Sequence, residues 1–349
     1  MDSGFLTYKK PIAVVALGGN AILKKNQPPT SEIQQANIAV ALKSLEKLLY
    51  AYDAIAFTHG NGPQVGNELI RSHAAQRYYN LPEIDLGVCD ANTQGQIGHW
   101  IVMEMKKIPS FRDKNVASII THVYVDKRHF THDEYTKYVG PWLDPKDIDF
   151  EEASKRGIIY KTPDGQNEKV RRVVPSPGPY RIEEIETINM LLNDGVITIC
   201  CGGGGVPVYD PAYEGNRDKV DDEASDRFIP CDVVIDKDRA SAVLASSLLE
   251  LNADCDVHLI ILTDVKGLYK NSQLKEKDFI SEMSLNELDD FILRNTLDAG
   301  SIRPKLEAIQ SFLKKGGKRA YLAGLDDFNP DSPGTTFYSL KQIELFRTA

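Results

Sequence analysis

Residues Ile12 to Leu17 form an unbroken apolar run rich in β-branched side chains, and Gly18-Gly19-Asn20 stops it. A short continuous run of this kind predicts a strand buried on both faces, as in a parallel sheet. The period then changes. Ile38, Leu42, Leu45, Leu49 and Tyr52 recur at helical spacing, and Ser31 with Gln34 reads as a capping-box start. Ala54 to Thr58 returns to strand character, His59 to Gly62 reads as a loop, and Pro63 suits the first turn of another helix. Ile185, Ile188 and Leu192 mark a helix that Gly195 ends. Val196 to Cys201 then predicts a strand running into the glycines 202 to 205, followed by Val206-Pro207. His258 to Thr263 predicts a further buried strand, ending at Asp264-Val265-Lys266-Gly267. Leu306, Ile309 and Leu313 form a helix stripe closed by Gly316-Gly317, and Arg319 to Ala323 returns as a strand.

Strands alternating with helices predict an α/β fold, a three-layer αβα sandwich about a mainly parallel sheet. Ligands of such sheets bind outside the carboxyl ends of the strands. Loops at 18–20, 60–62, 202–205 and 264–267 all carry glycine at those ends, which predicts a ligand site on one rim. Two stretches break the rhythm. Residues 126–172 are dense in charge, aromatics and proline and predict a small protruding subdomain or lid. Residues 211–230 carry Glu214, Asp218, Asp221, Asp222, Glu223 and Asp226 with little apolar content. A solvated surface loop is the commoner explanation, and a functional acidic site is the alternative.

Composition narrows the classes. The 42% hydrophobic and 26% charged content is that of an ordinary globular chain, which argues against disorder. A net charge of -9 argues against a broad nucleic-acid-binding surface, so an anionic ligand must be met by a local pocket. The start MDSGFLTYKKP has no apolar core of a signal peptide, and no run approaches a membrane span. A cytoplasmic protein with no membrane partner is expected. The cysteines at 89, 200, 201, 231 and 255 form no C-x-x-C pair and read as reduced thiols.

Bare glycines at strand ends suit an anion cradle, although a simple turn explains any one of them equally well. Val206-Pro207 after Gly205 excludes a Walker A loop, which needs a lysine and a hydroxyl there. Gly60-Asn61-Gly62-Pro63-Gln64-Val65-Gly66 is one residue too long for a dinucleotide fingerprint. Phosphoryl transfer needs positioning and fixed positive charge, so lysines near these loops become candidates. Lys237 lies between Asp236 and Asp238, and Lys305 follows Gly300-Ser301-Ile302-Arg303-Pro304. Taken singly, each lysine is more commonly a solvated surface charge.

Longer motifs resemble one family. VVALGGNAI (14 to 22), THGNGPQVGNELI (58 to 70), TQGQIGHW (93 to 100), RRVVPSPGPYRIEEIETI (171 to 188), ITICCGGGGVPV (197 to 208), VIDKDRASAVLA (234 to 245), LIILTDV (259 to 265) and GSIRPKLEAI (300 to 309) resemble carbamate kinases of the amino-acid-kinase fold. The resemblance implies reversible phosphoryl transfer between ATP and carbamate, giving ADP and carbamoyl phosphate, with magnesium carried on the nucleotide rather than in a protein metal cage. It implies ATP synthesis in arginine catabolism, and a homodimer.

By the same resemblance Gly18, Gly19 and Asn20 face the transferring phosphoryl group, Gly60 and Asn61 bind the carbamate side, and Gly203 and Gly204 approach phosphate. Lys237 and Lys305 neutralise phosphate charge, Asp238 orients them, and Lys137 in TKYVGPW reaches in from the 126–172 excursion. Asp264, Val265 and Tyr269 lie at the nucleotide edge. Residues 1–195 form the carbamate-side lobe and 196–349 the nucleotide-binding lobe. The chain departs from the family's usual L-D-V-C-G-A-M by reading Leu86-Gly87-Val88-Cys89-Asp90-Ala91-Asn92, its acidic loop is longer, and Lys266 stands where an acid often follows. A kinase of an amino-acid carboxylate and a nucleotide-binding module without catalysis are the competing readings. A full set of charges at 137, 237, 238 and 305 argues against the second.

Overall fold

The computed structural model describes residues 10–131, 134–162, 169–211, 228–270, 278–297, 302–325 and 328–339. The first apolar run becomes strand β1 (Ile12–Leu17), buried at every position, with β2 (Ala54–His59) parallel to it on one side. The sheet is completed by β3 (Val116–Ser118), β4 (Ile197–Ile199), β5 (Val257–Thr263), β6 (Glu282–Ser284), β7 (Arg319–Gly324) and β8 (Thr335–Tyr338). Its order is β6-β8-β7-β5-β1-β2-β4-β3, and every neighbouring pair is parallel except β7 with β8.

Alternation along β1 divides the core in two. Ile12, Val14 and Ala16 pack on one face with α4 (Ile185–Asn193), α5 (Lys237–Leu251) and α6 (Ile302–Lys314), through Ile188, Leu244, Leu248 and Ile309. Ala13, Val15 and Leu17 pack on the other with α1 (Ser31–Ser44) and α3 (Leu86–Lys107), through Ile38, Leu42, Ile97 and Ile101. This is the three-layer αβα sandwich that the alternating periods predict. Helix α2 (Gly62–Tyr79) follows β2 directly.

Boundaries differ in instructive ways. Thr30, extended at φ -78°, is the residue that caps α1, accepting from Ile33 N–H at 3.4 Å, and Gln34 donates instead to the Pro29 carbonyl at 3.0 Å. The N-cap therefore lies one residue before Ser31, and the expected capping box does not form because N3 is Ile33, which has no side-chain acceptor. The stripe from Ile38 to Tyr52 is also interrupted: α1 ends at Ser44 and a short turn, Leu48–Ala51, carries the chain to β2. Strand β4 stops at Ile199 because Cys201 adopts a left-handed φ of 50°.

The charged excursion contains an antiparallel sheet of Tyr135–Leu143, Val170–Pro175 and Ile159–Lys161, extending three residues past the expected limit of 172. Tyr135–Leu143 packs on α2. Of the acidic loop, residues 212–227 lie outside the described residues. Among the described residues no helix is long and apolar enough to cross a membrane. All five cysteines are free.

Candidate active site

Because β5, β1, β2 and β4 are parallel neighbours, the four glycine-bearing loops emerge from one rim of the sheet. Gly18 leaves β1 into a tight turn closed by Ala21 N–H to Gly18 O and Ile22 N–H to Gly19 O, both 3.0 Å. The amides that open the turn are not used by it. Asn20 Nδ2 reaches Asp264 Oδ2 at the end of β5 at 3.3 Å. A side chain at Gly60 would meet the Gly19 backbone and the Lys237 stem, so three sequence-predicted residues converge where β1 and β2 end.

Lys237 and Asp238 open α5. Asp236 caps that helix, accepting from the amides of Asp238 at 2.9 Å and Arg239 at 3.2 Å. Ser241 Oγ donates to the Lys237 carbonyl at 2.6 Å and contacts Thr58 Oγ1 of β2 at 2.7 Å. The backbone carrying Lys237 is thereby fastened to the sheet. Asp238 is 2% exposed and holds two ammonium groups, pairing with Lys237 through Oδ1 and with Lys305 through Oδ2 at 2.7 Å.

Burial alone raises the Asp238 pKa, but the charges and hydrogen bonds of Lys237 and Lys305 outweigh it and hold the carboxyl below its ordinary range. Burial also pulls the Lys237 pKa down; Asp238 opposes that effect and the like charge of Lys305 adds to it. The cluster is one buried carboxylate between two cations, a fixed net positive charge with little water around it.

Two cavities meet at this cluster. One, of about 280 Å³, is lined by Gly60, Asn61, Asp90, Lys137, Gly203 and Lys237 among others. Lys137, on the strand Tyr135–Leu143, and Arg171, on Val170–Pro175, bring the small sheet over it. The other, of about 490 Å³, is lined by Gly18, Gly19, Asn20, Lys24, Lys25, Asp264 and Lys305. Each cavity draws on both halves of the chain. Val265 and Tyr269 lie outside both linings, and Tyr269 stacks edge-on with Phe279 at 5.4 Å.

The glycines 202–205 each admit a different neighbour. A side chain at Gly202 would strike the His59 ring; at Gly203, Asn61 and Asp90; at Gly204, the Ile235 backbone; and at Gly205, Val123. The last three also have positive φ, from 68° to 102°. Gly203 lines the smaller cavity, whereas Gly204 is buried beneath Ile235 and lines neither.

In and behind the wall of the smaller cavity, and along the larger one, lie groups that hydrophobic periodicity does not find. Asp90, on α3, is buried, and burial pushes its pKa up to about 7 against hydrogen bonds from Asn61 and Gln94. His59 is lowered to about 4, mainly by burial and further by the Lys237 charge, while Nδ1 bonds the Gly60 carbonyl at 3.1 Å. Lys24 and Lys25 follow the Gly18-Gly19-Asn20 loop in sequence, and that adjacency is the signal that could have found them. Among the described residues no cluster of three or more His, Cys, Asp or Glu could hold a metal ion.

Known proteins of similar shape and sequence frame this geometry. The pattern of the amino acid kinase family matches residues 11–324. Carbamate kinase 2 of Enterococcus faecalis is 35% identical over 334 residues, covering 94% of this chain and 98% of that protein. The carbamate kinase of Oenococcus oeni is 36% identical over 318 residues, covering 90% and 94%. The solved structure of Giardia lamblia carbamate kinase bound to AMP-PNP superposes with a TM-score of 0.81 at 30% identity, covering 95% of this chain and 99% of that one. With these matches running nearly end to end, the chain belongs to the amino acid kinase family, and within it to the carbamate kinases.

Proposed function

We propose that this chain transfers a phosphoryl group reversibly between ATP and carbamate, giving ADP and carbamoyl phosphate. The observation that carries the reading is the Lys237–Asp238–Lys305 cluster at the junction of a smaller and a larger cavity. Phosphoryl transfer needs in-line placement and preorganised positive charge, and asks for little covalent work from the protein. Lys237 serves the carbamate side and Lys305 the nucleotide side, so the moving group passes between two cations whose spacing Asp238 fixes.

Gly18, Gly19 and Asn20 receive the transferring phosphoryl group at the mouth of the larger cavity. Gly60, Asn61 and Gly203 form the carbamate end, and Gly204 supports that loop from beneath. Lys137 enters from the small sheet and helps exclude water, which matters because carbamate and carbamoyl phosphate both decay in it. Asp264 borders the nucleotide, and Val265 and Tyr269 belong to its outer edge. Magnesium enters as part of the nucleotide substrate. On this reading residues 1–195 supply most of the carbamate side, including the 126–172 excursion, and 196–349 most of the nucleotide side.

Carbamoyl phosphate is a mixed anhydride that gives up its phosphoryl group readily, which favours ATP synthesis, the direction needed in arginine catabolism. The protein works as a homodimer in the cytoplasm. ATP formation from ADP, magnesium and carbamoyl phosphate tests the activity. Lys237→Ala and Lys305→Ala should each lower turnover by roughly 100- to 1000-fold, about 3 to 4 kcal/mol. No ATP from the wild type refutes the function, and full activity in both variants refutes the roles of the lysines. A monomer by sedimentation at micromolar concentration refutes the dimer.

A further inference from the structure

The hydrogen bonds behind the smaller cavity have a fixed polarity. Thr121 N–H can only donate, and it does so to Gln94 Oε1 at 2.9 Å. The Gln94 amide nitrogen must therefore face Asp90, where it donates to Oδ2 at 3.2 Å. Thr93 Oγ1 donates to the Asp90 carbonyl at 2.8 Å, so towards Asn61 it can only accept. Asn61 Nδ2 consequently points at both, donating to Asp90 Oδ1 at 2.5 Å and to Thr93 Oγ1 at 2.8 Å. Both amide hydrogens are thereby engaged. Although Asn61 is the N-cap of α2, its side chain makes no cap bond, and its Oδ1 accepts no hydrogen bond among the described residues. Asn61 lines the cavity, 7% exposed.

We propose that Asp90 is a positioning residue that locks the Asn61 amide with its oxygen toward the substrate, so that the cavity selects an acyl phosphate whose acyl group carries an N–H donor over one carrying a methyl group. The proposal rests on the carbamate-kinase reading and deepens it: the cations Lys137, Arg171 and Lys237 meet the anionic part of the substrate, and Asn61 Oδ1 accepts from its amino group. Where position 90 is glycine, as the family motif usually has it, this lock is absent. Gly203 completes it, since a side chain there would displace both Asn61 and Asp90.

Carbamoyl phosphate and acetyl phosphate, which differ by NH2 against CH3, are the probes. In Asp90→Ala the preference in kcat/KM for carbamoyl over acetyl phosphate should shrink by roughly tenfold, carried mainly by the KM for carbamoyl phosphate. Asp90→Asn, which keeps one acceptor oxygen, should fall between, and Thr93→Val should shrink the preference less. The KM for ADP should stay constant in all three. An unchanged preference, or an equal loss for both phosphates, overturns the proposal. If Asp90→Ala does not fold, Asp90→Asn and Thr93→Val decide by the same criteria. A wild type that makes no ATP refutes the kinase reading instead, and thermal protection then decides the lock. Stronger protection by carbamoyl phosphate than by acetyl phosphate, weakened in Asp90→Asn, supports it, and equal protection overturns it.

Discussion

The two cavities beside Asp238 solve opposite problems. The smaller is walled in part by Asn61 and Asp90, which hydrogen bonds with each other and with the buried Thr93 and Gln94 behind them hold in one arrangement. The larger is walled by a glycine turn and by Lys24 and Lys25, both exposed. On the proposed function, the first side discriminates a small, unstable substrate by fixed, buried groups, where an unpaired donor or acceptor is costly. On the same proposal, the second holds a large polyanion by backbone and by mobile charges that tolerate adjustment. Precision is concentrated on the side where the ligand offers few atoms to read.

The largest expected effect falls on the junction that both cavities share. Asp238→Asn leaves two buried ammonium groups without their carboxylate, and should reduce turnover by about 100-fold or more and stability by roughly 3 to 5 kcal/mol. Turnover and urea unfolding measure the two, and a variant with wild-type values in both would remove the cluster from the mechanism. Next, Gly203→Ala combines a φ of 68° with a collision against Asn61 and Asp90, and should cost about 1 to 3 kcal/mol. Its kinetic damage should appear in the KM for carbamoyl phosphate. Equal damage to the KM for ADP would erase the distinction between the two sides.

The pH response sharpens the contrast further. Asp90 has a raised folded pKa of about 7, so its burial supports stability below the ordinary carboxylate pKa and that support is lost as pH rises toward 7. His59 acts oppositely: lowered to about 4, it penalises the fold in acid and ceases to do so as pH rises through 6.5. The melting temperature of Asp90→Asn should therefore gain on the wild type between pH 4 and 7, as thermal melts across that range would record. A constant difference would place the Asp90 pKa near its ordinary value. Smallest of all, Lys24→Ala and Lys25→Ala should each raise the KM for ADP only about two- to fivefold, with the effect fading in high salt.

The legibility of the sequence follows the same division. Strands β1, β2, β5 and β7 were readable because buried parallel strands are continuous apolar runs, and α6 because its stripe is uninterrupted. Helix α3, 22 residues long, escaped the periodicity because its buried face carries Asp90, Thr93, Gln94 and Gly98 among the apolar positions. A helix that lines a polar site cannot advertise itself by hydrophobic spacing. Lys237, Asp238 and Lys305 could be named as candidates, but their meeting depends on α5 and α6 lying side by side on one face of the sheet. Asp90 was visible only as a departure from a motif, and its partners became readable only when β2, α3 and the glycine loop were brought together.

The glycine loop has a consequence in time as well as in space. Residues 202–205 touch His59, Asn61, Asp90, Val123 and Ile235, segments spread over most of the described chain, so the loop cannot settle until all of them have arrived. Contacts of such sequence separation form late, after the loop-closure entropy of the intervening chain has been overcome. A substitution such as Gly203→Ala should therefore accelerate unfolding while leaving the folding limb of a chevron nearly unchanged. On the proposed function, the cradle for the least stable substrate is thus assembled late rather than early in folding.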